Sequence, residues 1–516
     1  MTRTFQLPEP ASLAEREAFL SLQARLPGLF KHVFTDCRAP RTVVVCPGMS
    51  LEPMVLARVS GVRHYEERML SMLMLLRLPA TRMIFLSSEP IPPSVIDYYL
   101  SLLSGVPSGH ARARLTLLSA HDATLVSLTR KLLDRPRLLA RVRQAIGDPA
   151  SAHLSVFNAT ADEVSLAVAL GIPMYACDPA LAHWGSKSGS RRAFRAAQVP
   201  MPDGAEDLRD LDDAASALVA LLARQPGLKR AVVKLNQGFS GDGNAIVELS
   251  GFERRPSVSQ LRAALPARLR PEADGLDFGA YAALFRHQGG IVEAWVEGRS
   301  AADGGADGKR SPSAQLRINP LGEVELISTH EQVLGGRTGQ VFLGSRLPAD
   351  PAYAIALHTM AMRVGAVLRD QGVIGRFSVD FVSLCKGDTW QHWAIEINLR
   401  KGGTTLPYQM LQYLTDGHYD TADAVFRTPL GQPRCYYATD NLVNPDYRRL
   451  VPQDLIDLLV EHRLHFDETR QQGLVFNLIG ALSEYGKLGL VCIAPTPSAA
   501  DDQFAAAREL LDRETR

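Results

Sequence analysis

The sequence predicts an α/β protein, and three observations carry that reading. Short apolar runs alternate with helical stretches between residues 41 and 185, a glycine-rich loop joins two strands near residue 240, and a hairpin around residues 376 to 400 gathers acids, an amide and arginines. At 516 residues the chain exceeds what one core usually fills, so about three domains are expected. Hydrophobic residues make up 46% and charged residues 22%, and 56 Lys plus Arg nearly cancel 55 Asp plus Glu. That balance argues against nucleic acid or an anionic membrane surface as a partner and favours small molecules.

Taken in order, residues 11 to 28 read as an amphipathic helix. The runs Thr42 to Cys46, Met83 to Leu86, Leu115 to Leu118, Leu154 to Phe157 and Pro173 to Cys177 read as strands. Between them lie helices such as Glu66 to Leu76 and Asp162 to Leu170, and this alternation predicts an open parallel sheet. A helix over Leu208 to Arg224 precedes strands at Ala231 to Leu235, Ala245 to Leu249 and 289 to 297. Residues 301 to 313, rich in Gly, Asp and Ser, read as a mobile loop. Ser313 to Asn319 and Val324 to Ser328 form an expected antiparallel pair, and a helix over Tyr353 to Asp370 leads to the hairpin. Pro452 to His462 (helix), Gly473 to Leu482 and Leu488 to Ala494 (strands), and Ser498 to Arg513 (helix) predict a small α/β unit at the end.

Six cysteines are scattered without zinc spacing and read as reduced thiols. The apolar run Met69 to Leu78 is broken by Arg77 and is far short of the ~20 residues of a membrane span. Acidic residues stand near the N-terminus where a secretion signal is basic. A cytoplasmic protein that does not enter a membrane is the expectation.

Lys234 ends an apolar strand, and the loop that follows carries Gly238, Ser240, Gly241 and Gly243 before a second strand begins. A Walker loop or a dinucleotide fingerprint would lead into a helix instead. A strand, glycine loop, strand unit folds as a flap whose N–H groups face phosphate oxygens, with Lys234 adding a point charge. The plain alternative is an exposed hairpin with a surface lysine.

Glu396, Asn398 and Arg400 alternate along one strand and so share a face. Asp380 lies on the preceding strand. For it to meet Glu396, the connecting loop is expected to hold an odd number of residues, three or five. Two carboxylates and an amide oxygen make a hard, oxygen-only site suited to Mg2+, with Mn2+ an acceptable substitute. Arg400 offers a fork for a carboxylate or acyl phosphate. Arg376 and Arg317 are further candidates for such contacts, weighed evenly against structural ion pairing. Gly402 to Thr405 form a weaker candidate for a backbone nest.

These residues resemble the ATP-grasp superfamily. The blocks His64 to Met69, Ile96 to Leu100, Arg135 to Arg137, Gly171 to Pro173, Lys187 to Arg191, Lys234 to Gly241, Glu396 to Arg400, Gly480 to Glu484 and Gly486 to Gly489 resemble its subgroup related to the pheganomycin-type peptide ligase. The resemblance implies an N-terminal helical segment (1–40), a pre-ATP-grasp α/β domain (41–185), an ATP-grasp domain (186–430) and a C-terminal α/β domain (434–516). The ATP-grasp domain divides into a glycine-loop subdomain at about 200–300 and a metal-site subdomain at about 313–430, two α+β halves that clamp ATP. The resemblance further implies that Lys187 and Lys234 contact phosphates. Glu293, Ala294, Trp295 and Val296 meet adenine largely through the backbone, Glu297 holds the ribose with Ser300 in competition, and Asp380, Glu396 and Asn398 hold the metal. Leu406 and Asn477 depart from a pattern that often has histidine at both places, which bears on acceptor choice.

The expected activity is ATP-dependent joining of a small-molecule carboxylate to an amine acceptor, an amino acid or peptide, through an acyl phosphate. The glycine loop and residues 301 to 313 would then act as lids that exclude water. The alternatives are an ATP-grasp phosphotransferase or thiol ligase, and a nucleotide-binding module without turnover.

Overall fold

A computed structural model describes residues 12–516, save 52–55, 58, 239–240, 242, 253–255, 274, 299–307, 337–338, 388 and the side chain of Phe34. The N-terminal helical region is two helices, Leu13–Gln23 and Leu26–Thr35. Pro27, in the first turn of the second, has no N–H to continue the first, so the single helix expected over 11 to 28 breaks.

The N-terminal sheet contains β1 (Arg41–Cys46), β2 (Thr81–Ser87), β3 (Leu115–Ser119) and β4 (Ala152–Val156) in the order β3-β2-β1-β4, all parallel as expected. Side chains of β1 alternate between two cores: Val44 and Cys46 face one helical layer, and Val43 and Val45 enter a larger core shared with the rest of the molecule. The expected strand at Pro173 to Cys177 is reduced to a bridge at Met174. The Gln23 side chain takes both backbone groups of Met174, at 2.9 and 2.7 Å, and so caps that sheet edge. The helix expected over Glu66 to Leu76 is found as a 3₁₀ helix over Val62–Arg77, which buries Met69, Leu70, Leu73 and Leu76 in the shared core.

A second sheet is antiparallel: β5 (Gly204–Leu208), β6 (Arg230–Leu235), β7 (Asn244–Glu248), β8 (Leu269–Pro271) and β9 (Gly290–Ala294), ordered β5-β9-β6-β7-β8. Helices Leu211–Arg224, Val258–Arg268 and Phe278–Gln288 cover one face over a core of its own.

The third sheet has eight strands. It is built from β10 (Pro312–Ile318), β11 (Val324–Gly335), β12 (Val341–Leu347), β13 (Gly375–Lys386) and β14 (Thr389–Asn398). A two-stranded pair, β15 (His418–Asp420) and β16 (Val425–Arg427), lies apart; then β17 (Cys435–Val443), β18 (Gly473–Asn477) and β19 (Lys487–Ala494) join the large sheet. Its order is β14-β13-β10-β11-β12-β17-β19-β18. The C-terminal unit therefore has no sheet of its own but extends the one that carries the hairpin, through β12 and β17. Its first expected strand stops at Asn477, because Leu478 turns left-handed (φ 53°). Among the described residues one helix, Pro351–Asp370, is long and apolar enough to cross a membrane. Its Leu357, Ala361, Val364 and Leu368 enter the shared core against β10 and β11.

Two sequence blocks more than 400 residues apart meet across this core. His64 lies 3.2 Å from Glu484, and Gly480 N donates to Glu67 at 3.1 Å. Tyr98 Oη accepts from Phe476 N at 2.9 Å. The N-terminal domain is thereby fastened to the C-terminal strands.

Candidate active site

The five-stranded and eight-stranded sheets face each other across a cleft of about 1170 Å³. Lys187, Lys234, Gly238, Gly241, Gly243, Glu293, Trp295 and Val296 line it together with Asp380, Glu396, Asn398 and Arg400. Glycine loop and acidic hairpin thus share one space.

The hairpin reaches this arrangement by an unexpected route. Lys386 pairs with Thr389, so the loop holds two residues, 387 and 388, not the odd number expected. An even loop alone would set Asp380 opposite residue 395 and turn the acids to opposite faces. A β-bulge intervenes: Phe381 pairs with Ala394 and Asp380 with Glu396, leaving Ile395 as the extra residue. The acids then share a face. Asn398 Nδ2 donates to Asp380 at 3.0 Å and to Glu396 at 3.2 Å, and Ser313 Oγ donates to Asp380 at 2.6 Å. Lys187 Nζ contacts Glu396 Oε2. Burial holds the Asp380 carboxyl above its ordinary range. An ammonium and an amide NH₂ therefore compensate two half-buried carboxylates, and the oxygen-rich donor set fits a hard divalent cation.

Lys187 opens the helix Lys187–Ala196, whose Ser186 cap accepts from Gly189 N at 3.0 Å. Asn236 fixes that helix start: its carbonyl accepts from Lys187 N and its Oδ1 from Ser188 N. Burial first, then the Lys234 ammonium, pushes the Lys187 amine down to about 7. Two cations pressed together in this way favour an anion between them. Lys234 is itself held at 2.7 Å by Glu293, which also accepts from Arg191 at 2.7 Å, and all three are at most 5% exposed. The Glu293 carboxylate, expected near a base, is thus taken up in anchoring the lysine.

The base of the glycine loop is tied by Tyr281 Oη, which donates to Val233 O and Gly243 O. Gly241 is left-handed (φ 87°), and a Cβ there would lie 2.8 Å from Gln340 O, so the loop approaches the β11 to β12 turn as only glycine allows. Asn244 Nδ2 donates to Gln340 Oε1 at 2.8 Å across the same gap. Ser240, Ser300 and residues 301–307 of the expected lid lie outside the described residues.

At the cleft's far end Lys309 sits 4.4 Å and Arg230 5.1 Å from the Trp295 ring centroid. Lys309 Nζ donates to Val296 O at 2.9 Å, and burial pushes its amine down to about 8. Glu297 pairs with Arg230, accepting from its Nε at 3.2 Å. β9 ends at Ala294, and Trp295 N makes the last backbone bond to β6, donating to Arg230 O at 3.2 Å.

The three arginines separate. Arg400 lines the cleft and donates to Asn398 Oδ1 at 3.1 Å, with burial, then Arg68, lowering it to about 10. Arg376 does not line the cleft; it donates to Gln315, whose amide reaches Thr404. Arg317, opposite Arg376 on β10, donates to Glu325 at 3.1 Å and is likewise away from the cleft. Arg317 is thus ion-paired and Arg376 is held by an amide, and neither is among the residues that line the cleft. In the expected nest, Gly402 N donates to Thr405 Oγ1 at 3.0 Å and is spent within its own turn. Glu331, which no motif singled out, also lines the cleft, its carboxyl pushed up to about 7 by burial and bonded by Tyr353 Oη.

Residues 179–270 and 276–422 match the family model described as IQCH-like, ATP-grasp, and residues 454–506 match the PGM1 C-terminal domain. An L-propargylglycine–L-glutamate ligase of Streptantibioticus cattleyicolor is 29% identical over 465 residues, 89% of this chain and 91% of that protein. The IQ motif-containing protein H of Danio rerio is 23% identical over 471 residues, covering 82% of this chain and 43% of its own length. Among solved structures, the biotin carboxylase domain of Hydrogenobacter thermophilus 2-oxoglutarate carboxylase, complexed with MgADP, ADP and bicarbonate, is 12% identical. It aligns at a TM-score of 0.51 over 90% of this chain and 89% of that one, a likeness of fold.

Proposed function

We propose that this chain, whose residues 179–270 and 276–422 match an ATP-grasp family model, is an ATP-dependent carboxylate–amine ligase that works through an acyl phosphate and releases ADP and phosphate. One observation carries the reading: a single cleft is lined both by Lys187 and Lys234 and by Asp380, Glu396 and Asn398. The amino-acid ligase relative, aligned over nearly its whole length, supports the same chemistry.

In this reading Lys187 and Lys234 hold the phosphates, with Glu293 fixing the second lysine. Gly238, Gly241 and Gly243 fold over them, and residues 293 to 297 face the base and ribose. Asp380, Glu396 and Asn398 hold Mg2+, for which Mn2+ is a substitute; bound there, the ion neutralises charge on the phosphates. The Lys187 ammonium then leaves Glu396 for phosphate. Arg400 orients the acid substrate. Its carboxylate oxygen attacks the γ-phosphorus, and the bond to the bridging oxygen breaks to release ADP. The amine nitrogen next attacks the acyl carbon and phosphate departs; one ammonium proton leaves with phosphate and one passes to water. Positioning and preorganised charge supply the acceleration, with no covalent enzyme intermediate.

The working units are those expected above, a pre-ATP-grasp domain at 41–185, the clamp at 186–430 and a C-terminal unit at 434–516. All six cysteines are free, which suits a cytoplasmic place of action. The test is incubation of the full chain with ATP, MgCl2 and pools of acids and amines, followed by mass analysis. ADP appearing in step with an amide supports ligation. ADP with a stable phosphorylated product and no amide would replace the reading with phosphotransfer.

A further inference from the structure

Cations gather from both sides of the seam where the N-terminal sheet meets the clamp. Arg41 shares its face of β1 with Val43 and Val45, which enter the shared core, and His153 stands opposite Val43 on β4. From the clamp come Arg376 and Arg317, opposite each other on β13 and β10, and Lys401 after β14. Gly375 (φ 101°) would place a Cβ 3.2 Å from Ala176 Cα, so β13 starts against the backbone next to Tyr175 as a glycine permits. Lys401 N donates to Phe157 O at 3.2 Å, and its Nζ donates to Ser155 Oγ at 3.3 Å and to Val156 O, which carries the ammonium to the end of β4. Tyr413, on the helix Thr405–Thr415, completes the group. None of these residues lines the cleft.

Carboxylates do not match these charges. Glu325 takes Arg317, at 3.1 Å. Among the described residues Arg376 donates one side-chain hydrogen bond, to the neutral Gln315 Oε1 at 2.6 Å, and Lys401 meets only a hydroxyl and a carbonyl. Arg41 is 8% exposed; it reaches Asp36 O at 3.4 Å, and its Nε has no partner. The buried Tyr175 hydroxyl has none either. Burial lowers Arg41 against the pull of Cys37 and Asp36, and burial, then Arg376, pushes the Lys401 amine down to about 7. Burial first, then Lys401 and Arg41, pushes His153 down to about 4. Burial raises the Tyr413 hydroxyl while Arg376, Arg317, Arg77 and Arg41 draw it back, so one phenol lies in the field of four guanidiniums. Arg376, Lys401, His153, Tyr175 and Tyr413 each keep part of their surface open to solvent, so the seam is hollow. Desolvated cations without a counter-charge are costly, and an anion among them removes that cost.

We infer that this seam is a second ligand site, which takes a doubly charged oxyanion, a phosphate or a dicarboxylate, held by Arg376, Lys401 and the Tyr175 hydroxyl within the field of Arg41. The Arg376 fork grips two oxygens, the Lys401 ammonium supplies a point charge, and the Tyr175 hydroxyl donates the bond that no protein group takes. Chloride would offset one charge of three, whereas a dianion offsets two and has oxygens enough for several donors. The ligand ties the N-terminal sheet to the clamp. This site stands apart from the ligase reading, since its residues do not line the cleft.

The test is isothermal titration calorimetry on the full chain without nucleotide, at one ionic strength set with NaCl, with inorganic phosphate and succinate as probes. At least one of the two is expected to bind with a Kd below about 1 mM, and the tighter probe names the oxyanion. Arg376→Gln is expected to weaken that binding by about tenfold or more, and Tyr175→Phe by about threefold to tenfold. Lys234→Met removes a cation of the cleft, and the seam's binding is expected to survive it within about twofold. Circular dichroism certifies that each variant is folded, and Tyr175→Phe, which removes a single oxygen, keeps the test open should Arg376→Gln unfold. No binding of either probe, an unchanged affinity in folded Tyr175→Phe and Arg376→Gln, or loss of all binding in Lys234→Met would overturn the inference. Each of these results leaves the ligase reading to its own assay.

Discussion

Replacing Glu293 by Gln tests whether its carboxylate anchors Lys234 or reads the nucleotide. Glu293 is 2% exposed and accepts from Lys234 and from Arg191, each at 2.7 Å. Arg191 has other partners, Glu206 at 3.0 Å and Pro202 O at 2.9 Å, so its charge stays compensated. Lys234 has no second carboxylate among its described partners, and a glutamine would leave its ammonium buried against a neutral amide. Removing one member of a buried ion pair typically costs about 3–5 kcal/mol. With a urea m-value of roughly 2–3 kcal/mol per M, the midpoint for the five-stranded sheet should fall by about 1–2 M. Urea unfolding followed by hydrogen exchange on peptides covering β6 and β9 measures this. A midpoint unchanged within error, together with weakened ADP binding, would refute the anchoring argument and return Glu293 to the nucleotide.

Further expectations concern the hairpin, the arginines and acid stability. Glu396→Gln should reduce ADP release by about 100-fold or more while circular dichroism stays unchanged, since in the proposed reading a carboxylate that would hold the Mg2+ is lost; full turnover would remove Glu396 from the site. Arg317→Gln should leave kcat/KM for ATP within about threefold, because an ion pair away from the cleft is not lost from the transition state; a loss of a hundredfold in a steady-state assay would restore it as a catalytic candidate. His330 is fully buried, neither ring nitrogen has a hydrogen-bond partner among the described residues, and burial pushes it down to about 3. Its folded pKa lies below the unfolded value, so the unfolded chain gains a proton first as pH falls, and stability drops from about pH 6.5 downward. Between pH 6.5 and 4.5 the loss from this group should be about 2 kcal/mol, read as a urea midpoint shift that His330→Leu diminishes.

Much of this was legible in the chain because it is local. The runs that became β1 to β4, the glycine loop after Lys234, and the alternation that puts Glu396 and Asn398 on one face all follow from short-range patterns. What escaped is set by distant partners. Whether Asp380 meets Glu396 depends on Ile395 being left out of the ladder, and nothing in an apolar isoleucine announces a bulge. Glu293 sits 59 residues from Lys234 and 102 from Arg191, so its acid read equally well as a ligand contact. Arg376 and Arg317 carry the right chemistry for a carboxylate, but strand register sets them along the sheet and away from the cleft. The seam that gathers Arg41, Arg376 and Lys401 draws on blocks more than 300 residues apart, and no spacing rule connects them.

The continuity of the eight-stranded sheet bears on how the protein may be shortened. Cutting the chain near residue 434 would not free a self-contained catalytic half. It would strip the partner from β12 and leave a row of N–H and C=O groups seeking another strand, an adhesive margin that favours insoluble association. Trimming for crystallisation or for transplanting the clamp onto another scaffold should therefore keep β17 to β19 in place.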